Sequence, residues 1–121
     1  MGDARTTSKK MRSFESISGL RQLIAFIASE YTPEKIILFG SYASEMKNED
    51  SDIDLVVIKE SNKRFVDRVV ELVRLIRNQF GFEYPVELFV YTPDEFRKAK
   101  QTNSLFIRTV LAKGIILYEK E

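Results

Sequence analysis

One short run of residues limits the folds open to this chain more than any other. Residues 53–58, IDLVVI, are apolar at all but one position, so a strand built from them needs burial on both faces. Such a strand lies inside a sheet, with helices packed on its two sides. The run therefore predicts an α/β architecture in which residues 52–59 form a central strand.

Hydrophobic periodicity places the remaining elements on both sides of this strand. Apolar residues recur at helical spacing from Ile17 to Tyr31, and Thr32-Pro33 ends that helix because the residue before proline avoids the α region. The other predicted elements are a strand at 35–39, a short helix at 42–46, a polar loop at 47–51, a helix at 62–80 ended by Gly81, a strand at 86–91, a helix opened by Thr92-Pro93-Asp94-Glu95, a helix near 103–113 and a strand at 115–118. This order predicts a single α/β (α+β) domain, 14–121, with a mixed sheet of about four strands, preceded by a flexible tail, 1–13.

The composition excludes several kinds of site. The 121 residues contain no cysteine and no histidine, which rules out disulfides, thiolate metal sites and histidine acid–base chemistry. Any metal would therefore be held by oxygen ligands, which hard cations such as Mg²⁺ or Mn²⁺ prefer. With a net charge of +1, no membrane-spanning apolar run and no signal peptide, we expect a cytoplasmic protein that binds neither membrane nor nucleic acid directly.

The basic side chains of the predicted helices carry a weaker functional signal. Helix faces of mixed charge are usually solvated, so we expect most of these side chains to be exposed and only a minority to contact nucleotide phosphates or an acidic partner. They are Arg64, Arg68, Arg74, Arg77, Lys98 and Lys100.

Two aspartates at the start of the central strand indicate a metal site. Asp52 and Asp54 are two positions apart, so in a strand they point to the same face. Two carboxylates side by side repel each other unless a cation or hydrogen-bond donors compensate. Simple turn chemistry explains the polar residues 48–52, but it does not explain Asp54, which lies between Ile53 and Leu55 inside the apolar run.

Two further features surround the aspartates. Gly40-Ser41 follows the first predicted strand and precedes a predicted helix, where backbone amides and a hydroxyl can bind a phosphate. Glu87 interrupts the third strand on the face that it shares with Phe89 and Tyr91, which makes it the candidate third carboxylate of a two-metal site. The alternatives are an exposed glutamate on an edge strand, or Glu83 as the third acid.

These residues together resemble a known signature. Gly40-Ser41, ten residues and then Asp52-Ile53-Asp54 are similar to the GS-x10-D-x-D pattern of the DNA polymerase β-like nucleotidyltransferase superfamily. The flanking residues 38–43, LFGSYA, and 51–55, SDIDL, look like the minimal nucleotidyltransferase (MNT) branch. The resemblance extends over roughly residues 17–118 and implies the polymerase β palm-like fold.

The resemblance also implies a role for each site residue. Gly40 and Ser41 would hold the β- and γ-phosphates of ATP, the implied substrate. Asp52 and Asp54 would bind two Mg²⁺ ions, for which Mn²⁺ could substitute. Glu87 would serve as the third carboxylate, both a metal ligand and the activator of the attacking hydroxyl. The α-phosphate would be attacked and pyrophosphate released.

The family pattern further implies a partner and a biological role. In the minimal branch, the nucleotidyltransferase acts as antitoxin by transferring AMP to a tyrosine of a HEPN-domain toxin that cleaves RNA. This chain has no separate acceptor-binding region, so the acceptor is expected to be such a partner; a homo-oligomer stays open. Two positions depart from the pattern: Glu45 stands where a second glycine is frequent, and Glu87 where aspartate is usual.

These departures keep two other functions open. One is a catalytically impaired module that binds nucleotide or toxin and acts by contact alone. The other is transfer to a small molecule such as an aminoglycoside, which the missing acceptor region disfavours.

Overall fold

A computed structural model describes the backbone of residues 9–40 and 52–121 and the side chains of residues 19–40 and 52–121. Its elements follow the predicted order closely: α1 Lys9–Glu30, β1 Lys35–Phe39, β2 Ile53–Ile58, α2 Phe65–Phe80, β3 Val86–Tyr91, α3 Pro93–Gln101, α4 Leu105–Lys113 and β4 Ile115–Glu119. The short helix predicted at 42–46 and the loop predicted at 47–51 lie outside the described residues. The predicted ends at Gly81 and Gly114 are confirmed as the residues that follow α2 and α4.

The four strands form one mixed sheet in the order β3-β2-β1-β4. Strand β2 pairs antiparallel with β1 and parallel with β3, while β4 pairs antiparallel with the other side of β1. The predicted central position of β2 is therefore confirmed, and so is the mixed four-stranded sheet. Five of the six residues of β2 are buried, as a strand covered on both faces requires.

Helices cover both faces of the sheet, and the two cores alternate along β2. Leu55 and Val57 pack with residues of α1 and α2 on one face, which we call the α2 face. Val56 and Ile58 pack with residues of α3 and α4 on the other, the α4 face. This alternation follows from the period of two in a strand, and it puts Asp54 on the α4 side of the sheet.

The first helix begins earlier than its apolar pattern suggested. The helix starts at Lys9, so residues 9–13 belong to it and not to the predicted tail. Residues 1–8 lie outside the described part. No proline or glycine interrupts residues 9–18, and helix propensity alone therefore permits the extension. In the described residues, no helix combines the length and hydropathy needed to cross a bilayer.

Arg68 corrects the expectation that the helix arginines are solvated. Its side chain is 2% exposed and makes a bidentate ion pair with Glu95, at 2.7 and 2.9 Å. It also donates to the carbonyl oxygens of Val90 and Lys63, at 3.0 and 3.1 Å. Glu95 in turn accepts from the Thr92 amide in the capping box of α3, so one guanidinium joins α2, β3 and α3. The hydrogen bonds from Arg68 lower the pKa of Glu95.

Replacing Arg68 should destabilise the fold strongly. We expect Arg68→Ala to lower the free energy of unfolding by about 3–5 kcal/mol, because it breaks a largely buried ion pair, leaves Glu95 with the Thr92 amide alone and removes the Arg68 donor from two carbonyl groups. The control is Arg64→Ala, whose side chain is 83% exposed and which should cost within about 0.5 kcal/mol. Urea unfolding of both variants measures the difference, and equal losses would contradict the central role of Arg68.

Candidate active site

Strand pairing brings the end of β1 against the start of β2. Phe39 pairs with Asp54 in the antiparallel register, so Gly40 follows directly beside that carboxylate. Gly40 has φ +74°, a conformation that L side chains rarely adopt. A Cβ at this position would overlap Asp54 Oδ2 and lie 3.1 Å from its Cγ. Glycine at position 40 is therefore required by the approach of the carboxylate as well as by its backbone.

The parallel pairing of β2 and β3 adds a second carboxylate. Asp54 is the register partner of Glu87, and both lie on the α4 side of the sheet. Glu87 is exposed and belongs to the edge strand β3, as one alternative interpretation of the sequence held. Its exposure does not separate it from Asp54, because the register places the two side chains next to each other. Glu83 lies in the turn before β3 and is not among the charges that act on Asp54.

The local environment disfavours a negative charge on Asp54. Burial, the negative charge of Glu87, a hydrogen bond between the two carboxyl groups and the charge of Asp52 raise the pKa of Asp54 to about 6. Its Oδ1 atom is buried without a hydrogen-bond partner among the described residues. A buried acceptor without a donor is rare in folded proteins and marks a place where a cation or another ligand would be favoured.

Asp52 stands apart from this pair. Strand β2 begins at Ile53, so Asp52 precedes it and is exposed. The alternation of side chains along a strand, which predicts a common face for Asp52 and Asp54, therefore does not apply to Asp52. Among the described side chains, those of residues 19–40 and 52–121, no three acidic groups are placed so that they could hold a metal ion. Ser41 and Glu45 lie outside the described residues. The structure thus shows one close carboxylate pair with a third carboxylate near enough to act on its charge.

This arrangement fits a hard divalent cation. Mg²⁺ is usually bound by one or two carboxylates together with water and substrate phosphates, rather than by a complete protein cage. The side chains of Asp54, Glu87 and Asp52 offer only oxygen ligands, and Oδ1 of Asp54 lacks any other partner in the described part of the chain. A cation would offset the burial and the repulsion that together raise the pKa of Asp54.

An aromatic cluster that the sequence patterns did not single out lies beside the pair. The rings of Phe39, Phe89 and Phe106 stand with centroids 5.0–5.7 Å apart on the α4 face. Phe39 is the register partner of Asp54, and Phe89 is two residues from Glu87 on the same face. The alternation of side chains along β3 predicts that Phe89 lies on the face of Glu87. Phe106 joins the cluster only because α4 packs against this face of the sheet.

Comparison with known proteins agrees with this geometry. The family described as "Polymerase beta, Nucleotidyltransferase" matches residues 21–121. The chain belongs to this nucleotidyltransferase family. A candidate protein adenylyltransferase of Methanocaldococcus jannaschii is 31% identical over 101 residues, which cover 82% of this chain and 94% of that protein. The predicted class of nucleotidyltransferase is thereby confirmed.

Two solved structures share the fold. A candidate nucleotidyltransferase from Sulfolobus solfataricus superposes with a TM-score of 0.63 at 16% identity, over 95% of this chain and 91% of the other. A toxin–antitoxin structure with AMP-PNP gives a TM-score of 0.58 at 22% identity, over 84% of this chain and 73% of the other. Both likenesses support the predicted polymerase β-like fold of this nucleotidyltransferase.

The pKa of Asp54 predicts an unusual dependence of stability on pH. The carboxyl group of an aspartate in the unfolded chain has a pKa of about 4. Between pH 4 and 6 the unfolded state therefore binds fewer protons than the folded state, and the stability falls as the pH rises. Asp54→Asn removes this penalty. We expect it to stabilise the metal-free protein at pH 7.5 by about 1 kcal/mol after solvent screening, and the gain to vanish near pH 4.

Thermal unfolding in a chelating buffer, repeated across this pH range, measures the effect. Glu60→Gln, an exposed change away from the site, serves as the control and should not show the same pH-dependent gain. A loss of stability in Asp54→Asn at pH 7.5 would contradict the repulsion. Added Mg²⁺ should stabilise the wild type more than Asp54→Asn.

A pair of glycine variants separates backbone strain from the contact with Asp54. Gly40 and Gly81 both have positive φ, +74° and +64°, but a Cβ at Gly81 meets nothing within 4 Å. Both alanine variants should lose about 1–3 kcal/mol through strain. Only Gly40→Ala should lose additional stability and also displace the Asp54 carboxylate. Urea unfolding and Mg²⁺ titration measure this, and equal losses with unchanged Mg²⁺ binding would refute the close approach.

Proposed function

We propose that this protein is a Mg²⁺-dependent nucleotidyltransferase that moves AMP from ATP to a hydroxyl group of a partner protein. By the resemblance to the minimal branch, the acceptor is a tyrosine of a HEPN toxin, and the protein acts as its antitoxin. Family membership supports nucleotidyl transfer as the reaction class. The nucleotide, the metal and the acceptor are parts of the proposal.

The observation that carries the proposal is the Asp54–Glu87 pair beside Gly40. At this end of the sheet the pKa of Asp54 is raised, and its Oδ1 atom has no hydrogen-bond partner among the described residues. Gly40 beside it has no Cβ. A structural role would not require two like charges side by side on adjacent strands, since apolar residues there would extend the core at no electrostatic cost. Nucleotidyl transfer uses such a site, because bound cations compensate the negative charges of both the carboxylates and the nucleotide phosphates.

Each residue takes a distinct part in this reaction. Asp52 and Asp54 would hold Mg²⁺, which when bound neutralises charge on the phosphates and polarises the α-phosphate. Gly40, with no side chain, lets the Asp54 carboxylate approach the backbone where a phosphate would be bound. Glu87 accepts the proton of the attacking hydroxyl. The acceptor oxygen bonds to the α-phosphorus, the bond from that phosphorus to the β-phosphate bridging oxygen breaks, and its electron pair leaves with pyrophosphate.

The relatives favour ATP and a protein acceptor. The M. jannaschii protein is named as a candidate protein adenylyltransferase, and the toxin–antitoxin structure contains AMP-PNP. The 31% identity over nearly the full length of the former supports a related acceptor class for this chain. The second likeness supports a toxin as the partner by fold alone, so the HEPN identity depends on the resemblance of the signature.

Two features favour the alternative of a binding module. The described residues do not group three carboxylates as a metal site, and Glu87 is one methylene longer than the aspartate usual in the family. In this alternative, the protein holds nucleotide or toxin by contact and transfers nothing. The two functions differ in whether label moves from ATP to the partner.

A transfer assay distinguishes them. The protein is incubated with ATP labelled at the α-phosphate, Mg²⁺ and a HEPN protein encoded next to its gene. The wild type should transfer labelled AMP to that partner. Asp52→Ala/Asp54→Ala should reduce the label at least about a hundredfold, because the metal and phosphates lose their alignment. The matched control is Asp67→Ala/Asp94→Ala, which removes two aspartates outside the site and should transfer normally. Tight partner binding without label in the wild type would reject the enzyme and leave the binding module.

A further inference from the structure

Strand β3 has a neighbouring strand on one side only. The sheet order β3-β2-β1-β4 makes it an edge strand, and it pairs in parallel with β2. In such a pair, alternate residues bond to the neighbouring strand, and the residues between them direct their N–H and C=O groups away from it. The outward groups of an edge strand form a template on which a further extended chain can pair.

Two bonds of the ladder show which residues of β3 face outwards. The Ile53 amide donates to the Pro85 carbonyl, and the Lys59 amide donates to the Tyr91 carbonyl, each at 2.8 Å. The bonds to β2 therefore fall on the odd-numbered residues of the segment 85–91. The residues of β3 that direct their backbone groups away from β2 are Val86, Leu88 and Val90.

Arg68 closes one end of this outer edge. Its guanidinium extends from α2, on one face of the sheet, to Glu95 of α3, on the other face, and so crosses the edge. It donates to the Val90 carbonyl at 3.0 Å, in agreement with the outward direction of that group. Among the described residues, nothing bonds in this way to the outward groups of Val86 and Leu88. We call these groups of Val86 and Leu88 the open edge.

The open edge offers its backbone rather than its side chains. The side chains of Val86 and Leu88 pack in the core on the α2 face. An N–H donor and a C=O acceptor that repeat every second residue match the backbone of another extended chain, which is how strand addition recognises a peptide. A nucleotide has no such repeat, so the open edge favours a protein segment as its occupant.

The open edge is continuous with the candidate active site. Glu87 lies between Val86 and Leu88, and its exposed side chain stands beside Asp54 on the α4 side of the sheet. Side chains that are directly opposite each other on neighbouring strands lie about 5 Å apart on the same face. In a strand added to the open edge, the residue opposite Glu87 would therefore present its side chain next to the Glu87 carboxylate.

The charges around the open edge restrict the composition of the occupant. Glu83 precedes the edge, Glu87 lies within it, and both side chains are exposed. Asp52 is also exposed and lies one residue before Ile53, which bonds to the start of the edge. These carboxylates would repel an acidic segment, so a neutral or basic segment is favoured.

We propose that an extended segment of the protein acceptor binds to the open edge of β3 as an additional strand, and that its residue opposite Glu87 carries the hydroxyl group that is modified. This inference rests on the proposed nucleotidyl transfer to a protein. Main-chain hydrogen bonds hold the segment, so the acceptor is selected by an extended conformation and by a hydroxyl residue in the correct register. The hydroxyl oxygen bonds to the α-phosphorus, pyrophosphate leaves with the electron pair of the broken bond, and the proton passes to Glu87.

Amide hydrogen exchange tests the added strand in the unmodified protein. The chain is mixed with the protein partner of the transfer assay, without ATP, and exchange is followed by NMR. We expect the Val86 and Leu88 amides to exchange at least about tenfold more slowly on binding, because each would gain an acceptor. The amides of Glu87 and Phe89, which bond to β2, should change less.

Two results of this measurement would overturn the inference. One is partner binding that leaves the exchange of the Val86 and Leu88 amides unchanged. The other is protection of these amides that increases with the concentration of this chain alone, because it would assign the open edge to a second copy.

A pair of variants at one position separates the backbone donor from the side chain. Val86→Pro removes an outward N–H group and keeps the bonds to β2, and proline is tolerated at the first residue of an edge strand. Val86→Ala shortens the side chain but keeps the N–H group. We expect the KM for the protein partner to be about tenfold higher in Val86→Pro than in Val86→Ala, with similar kcat and similar KM for ATP. Circular dichroism checks the fold, and the exchange measurement on the wild type decides if Val86→Pro does not fold.

The two measurements separate failure of the added strand from failure of the proposed function. If the partner protects the Val86 and Leu88 amides but no label is transferred, the binding surface stands and the enzymatic function fails. If label is transferred and the two Val86 variants have the same KM for the partner, the function stands and the added strand is refuted.

Discussion

The pairing of β2 on both of its edges is the constraint on which the rest of the structure depends. Its antiparallel register with β1 puts Gly40 beside Asp54, and its parallel register with β3 puts Glu87 on the other side of the same carboxylate. A shift of either register by one residue would turn these side chains to the opposite face. The candidate site therefore exists only because both pairings hold at once, and burial of β2 on its two faces fixes them.

The residues that stabilise the sheet and the residues of the candidate site lie in different parts of the sheet. The interior of β2 is apolar and buried, whereas negative charge gathers at its start, and no charged group in the described part of the chain offsets it at Asp54. At the opposite end of β3, the buried Arg68 has its full set of partners in Glu95 and two carbonyl groups. Arg68 thus has its partners within the protein, whereas Oδ1 of Asp54 has no hydrogen-bond partner among the residues that the structure describes.

The active-site edge joins two surfaces with different properties. On the α4 side, the carboxylate pair adjoins the aromatic cluster of Phe39, Phe89 and Phe106. On the α2 side, Asp52 borders a cavity of about 280 Å³, which the exposed ring of Phe82 also lines. The candidate site thus has an aromatic surface on one side of the sheet and a cavity with polar and apolar walls on the other.

The sequence by itself determined the elements of the sheet and the identity of the carboxylates, because periodicity, capping residues and charges inside apolar runs are local properties. It thus predicted β1, β3 and the α3 capping box closely, and it singled out Asp54 and Glu87. Three features could not be predicted in this way: the burial of Arg68, the separation of Asp52 from the strand, and the cavity beside Asp52. Only the tertiary structure decided them, because each depends on which side chains strand register and helix packing bring together from distant parts of the chain.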